Sequence, residues 1–145
     1  MLIGGSLSKR GGANARTLLP LRKAAFPMLK ILVVDDDASV RGAMDNLLSS
    51  HGYLVDTFVS AEAFLQSADL QEASCVIADV QMPGMSGLDL LKHMRIHCHD
   101  VPFILITAFP NEGLRARALQ AGAICFLTKP FAVLDLIDCV KTALS

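Results

Sequence analysis

The sequence predicts an α/β fold: a doubly wound, five-stranded parallel sheet of strand order 2-1-3-4-5 with five helices. Three observations point there. Short apolar runs recur along the chain, each followed by a stretch whose apolar residues stand three and four apart, which is the alternation of βα units. The runs lack the polar alternation of a half-exposed strand and so suit strands covered on both faces. Aspartates and a threonine stand at the ends of these runs, where open parallel sheets present their functional groups.

The first strand is predicted over 29–34, where Ile31, Val33 and Val34 end in three consecutive aspartates. Residues 39–50 place Val40, Ala43, Met44, Leu47 and Leu48 on one helical stripe, with Asp37 as cap and Gly52 beyond the end. A second strand follows over 53–58, then a helix over 61–68 opened by Ser60, and a third strand over 75–78 that runs into Asp79. Pro83 and Gly84 mark a loop before a helix over 88–96. The fourth strand spans 103–106, a helix spans 114–121 and is closed by Gly122, and the fifth strand spans 124–127. The last helix, over 133–144, carries Leu134, Ile137, Val140 and Leu144 on one face. Right-handed crossovers on both sides of such a sheet give the stated order.

The 145 residues suit one folded unit, and 52% hydrophobic against 19% charged residues excludes a disordered chain. No apolar run approaches the roughly 20 residues of a membrane span. Residues 1–34 hold six basic and no acidic side chains, whereas 35–145 hold seven basic and all 14 acidic ones, a net of −7 with histidine neutral. Direct nucleic-acid binding by the folded part is therefore not expected. Residues 1–27 read as a flexible basic leader, with a translation start set too far upstream as an alternative account, since Met28 stands just before the first strand; 28–145 form the domain. The four cysteines show no CxxC or metal-like spacing and read as reduced and mostly buried, as in a cytoplasmic protein.

In the predicted order, strands one, three, four and five are neighbours, so Asp35 and Asp36, Asp79, Thr107 and Lys129 converge on one pocket. Carboxylates held that close repel one another, which calls for a cation, and hard oxygen ligands beside a phosphoryl site suit Mg2+. A carboxylate can attack phosphorus to give an acyl phosphate while an ammonium neutralises the phosphoryl oxygens. Asp79 is the expected nucleophile and Lys129 the ammonium.

ILVVDDDASVR at 31–41, ADVQMPGMSG at 78–87, ILIT at 104–107 and FLTKPF at 126–131 together resemble the receiver domains of two-component response regulators, most closely the nitrogen-fixation-type regulators. The resemblance implies a flavodoxin-like fold and a phosphoprotein that is not an enzyme beyond catalysing its own phosphorylation and dephosphorylation. It makes Asp36 a direct Mg2+ ligand, Asp35 the residue that orients metal-bound water, Asp79 the phosphoacceptor and the Gln81 carbonyl a further ligand. Thr107 and Lys129 would bind phosphoryl oxygens, and Thr107 and Phe126 would form the switch. The implied donor is a histidine kinase or phosphotransfer protein. Phosphorylation would promote a homodimer or target binding through helix 4, strand 5 and helix 5, with Ala116, Leu119, Leu134 and Ile137 as apolar groups. Regulators of that type carry a helix-turn-helix output domain, which is not expected here. The rival reading is a phosphatase resembling the haloacid dehalogenase superfamily, with Asp35 as nucleophile and Asp37 as general acid/base; it leaves Asp79 unexplained.

Overall fold

The computed structural model describes residues 29–145; the expected leader over 1–27 and the question of the start at Met28 lie outside the described residues. Five parallel strands, β1 (Lys30–Val34), β2 (Leu54–Phe58), β3 (Cys75–Asp79), β4 (Phe103–Thr107) and β5 (Cys125–Thr128), form one sheet in the order β2-β1-β3-β4-β5. Between and after them run α1 (Ala38–Ser50), α2 (Ala61–Leu65), α3 (Gly87–Ile96), α4 (Glu112–Gln120) and α5 (Val133–Leu144). The predicted topology and all ten elements are present.

The strands alternate their side chains between two cores. Ile31, Val33, Cys75, Ile77, Ile104 and Ile106 meet Met44 and Leu48 of α1 and Leu136, Ile137, Val140 and Ala143 of α5. Leu32, Val34, Val76, Ala78, Phe103 and Leu105 meet Phe64 of α2, Leu90, Leu91 and Met94 of α3, and Leu114 and Ala118 of α4. Every residue of β3 and β4 is buried, as continuous apolar runs in a covered parallel sheet should be.

Several helix boundaries follow side-chain caps. Asp37 accepts from the amides of Ser39 and Val40, Ser60 from Ala63, Ser86 from Asp89 and Asn111 from Leu114. The caps at Ser86 and Asn111 start α3 and α4 one and two residues earlier than the apolar spacing suggested. The helix expected over 61–68 stops at Leu65 and is followed by a separate 3-10 turn, Ala68–Glu72. On α5 the buried stripe is Leu136, Ile137, Val140 and Ala143, and Leu134 is 74% exposed rather than part of it. Only Cys75 among the four unpaired cysteines is fully buried; Cys125 and Cys139 are half-buried and Cys98 is exposed.

The role of Asp37 gives a first prediction. Asp37→Ala removes the side-chain acceptor for two amides, so chemical denaturation should show a loss of about 0.5–2 kcal/mol, with metal affinity unchanged. A matching loss of metal binding would make Asp37 part of the site.

Candidate functional site

Strand register brings the acidic strand ends level. Val34 pairs with Ala78, Asp79 with Ile106 and Thr107 with Thr128, so the residues after β1, at the end of β3, at the end of β4 and after β5 meet at one edge. Asp35, Asp36 and Asp79 each offer one carboxylate oxygen, and the three oxygens lie within 4.8 Å of one another. Asp35 and Asp79 are buried and Asp36 is exposed at the mouth.

The Lys129 ammonium donates to Oδ2 of Asp35 at 3.1 Å and to Oδ2 of Asp79 at 3.2 Å. It thus sits between Asp79 and Asp35, where a group bound to either carboxylate would meet it. The other Asp35 oxygen accepts from the Asp37 amide at 2.9 Å, and the Asp35 carbonyl accepts from the Arg41 guanidinium at 2.7 Å, which fixes the turn out of β1. Asp79 Oδ1 accepts from the Gln81 amide at 3.3 Å. Burial and the nearby Asp35 raise the Asp79 pKa above the usual carboxylate value, and Lys129 and the Gln81 amide only partly offset this. For Lys129 burial disfavours the charge, but the pairs with Asp35 and Asp79 outweigh it and its pKa rises.

Three carboxylates face one ammonium. At such separations a like-charge pair costs on the order of 3 kcal/mol at an effective dielectric of about 20, so a further cation is favourable. The donors are hard oxygens with one carboxylate open to solvent, a set that fits Mg2+ rather than a soft metal. Asp35, Asp36 and Asp79 are the residues able to hold it.

Thr107 is fully buried at the end of β4. Its hydroxyl donates to the Gln81 side-chain oxygen at 2.8 Å and accepts from the Phe109 amide at 3.0 Å, while the Ala108 amide also donates to that Gln81 oxygen, at 3.3 Å. Phe126 lies inward, 9% exposed, with the Arg115 guanidinium of α4 5.9 Å from its ring centroid. Of the four apolar groups assigned to a switching surface, Ala116, Leu119 and Leu134 are exposed, whereas Ile137 belongs to the core.

Four contributions escaped the sequence reading. These are the Gln81 side chain, Arg41 on the Asp35 carbonyl, Arg115 over Phe126, and Glu62, whose carboxylate accepts from the Met85 amide at 3.0 Å and so ties α2 to the loop after β3. None has a periodic signature. The Asp37 carboxylate of the rival phosphatase reading is engaged as a helix cap.

Comparison with known proteins agrees with this geometry. The family described as "Response regulator receiver domain" matches residues 31–141. The chain is 40% identical over 114 residues to the response regulator protein TmoT of Ectopseudomonas mendocina, covering 79% of this chain and 52% of TmoT. It is 40% identical over 101 residues to the transcriptional regulatory protein FixJ of Bradyrhizobium diazoefficiens, covering 70% of this chain and 49% of FixJ. The chain therefore spans about half the length of the curated relatives it matches. Among solved structures, the BeF3-activated DrrB receiver domain superposes with a TM-score of 0.71 at 31% identity, covering 81% of this chain and 97% of that receiver-domain chain.

Proposed function

The chain belongs to the response regulator receiver domain family of two-component systems, and from that premise we propose that Asp79 accepts a phosphoryl group from a histidine kinase or phosphotransfer protein. The observation that carries this reading is the convergence of Asp35, Asp36 and Asp79 around one point with Lys129 bridging two of them. The phosphatase alternative finds no support in the family, the relatives or the site.

In the proposed reaction an Asp79 carboxylate oxygen attacks phosphorus as the bond from phosphorus to the donor nitrogen breaks, and the nitrogen keeps the electron pair. Burial and Asp35 make the Asp79 carboxylate more basic, which favours attack, while the Lys129 ammonium lies ready to pair with phosphoryl oxygens. The Thr107 hydroxyl supplies a second partner for them. Asp35, Asp36 and Asp79, with the Gln81 carbonyl, would hold Mg2+, which supplies charge neutralisation.

Residues 28–145 are proposed as the receiver unit, with net charge on the folded part unfavourable to nucleic acid. The unpaired thiols fit a reducing cytoplasm, and no helix among the described residues is long and apolar enough to cross a membrane. The output is proposed to be self-association or target binding on the α4-β5-α5 face, where Leu119 and Leu134 are exposed.

Incubation with acetyl phosphate should give a metal-dependent, acid-labile phosphate located by mass spectrometry at Asp79. A phosphate on Asp35 would overturn the assignment. Asp36→Ala should weaken Mg2+ binding, measured by titration, at least about tenfold because it removes a charged oxygen ligand. Unchanged Mg2+ affinity would place the ion elsewhere.

A further inference from the structure

Thr107 is buried and has a single hydroxyl proton, and the structure shows where that proton goes. A backbone amide can only donate, so the Gln81 side-chain atom facing the Ala108 amide must be the carbonyl oxygen. That oxygen can only accept. The Thr107 hydroxyl, 2.8 Å from it, therefore donates to Gln81, while its own oxygen is taken by the Phe109 amide. The orientation of the Gln81 amide follows from chemistry and not from a choice between two equivalent ends.

The same residue reaches the phosphoacceptor, since the Gln81 backbone amide donates to Asp79 Oδ1. Gln81 thus holds Asp79 by its main chain and Thr107 by its side chain. A phosphoryl oxygen on Asp79 can accept the Thr107 proton only if the bond to Gln81 breaks. We propose that the Gln81 side chain is a latch that holds Thr107 in the resting arrangement and sets how readily the protein converts to its phosphorylated one. This rests on the phosphoacceptor reading above. Gln81 is a positioning residue in this role, because it acts through Thr107 and not on phosphorus.

The latch has a direction. Every hydrogen bond made only in the resting arrangement opposes the shift toward the other one by its own net contribution. A neutral hydrogen bond of this kind corresponds to roughly a two- to tenfold bias. Gln81→Met keeps the length and approximate volume of the side chain, removes the acceptor, and leaves the backbone amide and carbonyl in place.

Beryllofluoride with Mg2+ is the probe, titrated into the whole chain and followed by the amide NMR shifts of Thr107, Ala108, Phe109 and Asn111. Gln81→Met should bind beryllofluoride about two- to tenfold more tightly than the unaltered chain, and the gain should vanish in a Thr107→Val background, because there is no hydroxyl left to release. Unchanged or weaker binding in Gln81→Met overturns the latch. A gain that persists with Thr107→Val also overturns it, since the effect would then come from a roomier pocket. If the unaltered chain itself fails to bind beryllofluoride, the phosphoacceptor reading fails first, and the two failures are told apart by that control.

Discussion

Asp79→Asn should abolish phosphate uptake from acetyl phosphate while leaving the fold intact. The substitution keeps the shape of the side chain and one oxygen, but an amide is not a nucleophile toward phosphorus, so the loss should be at least about a hundredfold in rate, comparable with removing other covalent nucleophiles. Stability should move little. Asp79 is buried beside Asp35, and burial and that neighbour both push its pKa up, so the negative charge at this position opposes folding in part. Removing it relieves the repulsion and gives up one of the two Lys129 ion pairs, and Lys129 retains Asp35. The measurements are phosphoprotein mass spectrometry and a melting curve. Metal-dependent phosphate persisting in Asp79→Asn would transfer the nucleophile to another carboxylate. Collapse of the melting transition would instead make Asp79 a structural residue.

The second large effect is expected at Gly87, the first residue of α3. A Cβ built there would run into the carbonyl oxygen of Asp79, and it would also stand 2.9 Å from the Asp79 carbonyl carbon and 3.3 Å from the Val80 Cα. These are backbone atoms at the end of a central strand and cannot swing aside as a side chain could. Gly87→Ala must therefore push α3 away from β3, losing contacts of the buried Leu88, Leu90 and Leu91, and shift the Asp79 main chain that aims the carboxylate. Overpacking typically costs about 1–3 kcal/mol, and a clash with backbone that cannot give way belongs at the upper end, so phosphate uptake should fall with it. Gly42 is the control, because a Cβ there meets nothing within 4 Å and its position inside α1 favours alanine. Gly42→Ala should stabilise the protein by roughly 0.5–1 kcal/mol. Urea unfolding of the two variants decides the matter, and similar midpoints would refute the steric argument.

The strands and the acidic pocket were legible because their signals are local. An apolar run ending in aspartate marks both a buried strand and the place where a carboxylate emerges, as β1 with Asp35 and β3 with Asp79 illustrate. The cap role of Asp37 was legible for the same reason, since the carboxylate and its two amides lie within three residues. What depends on distant partners was not. The bond between Thr107 and Gln81 joins residues 26 apart, and the contact between Glu62 and Met85 joins residues 23 apart, so neither leaves a trace in spacing. Leu134 suited an amphipathic stripe by period alone, yet the sheet accepts the Leu136, Ile137 and Val140 side of α5 and leaves Leu134 in solvent. The contact of Arg115 with the Phe126 ring joins residues of α4 and β5 and likewise leaves no trace in spacing.

The alternation of side chains along β1, β3 and β4 has a consequence for how the molecule comes apart. Ile31 and Val33 belong to the core under α1 and α5, and Leu32 and Val34, one residue away on the same backbone, belong to the core under α2, α3 and α4. Neither core has a backbone of its own, so stripping the helices from one face removes the support of strands that the other face needs. The two halves cannot melt in turn, so the domain should lose structure as one cooperative unit, with β2 and β5, paired on one side only, the strands of the sheet least held.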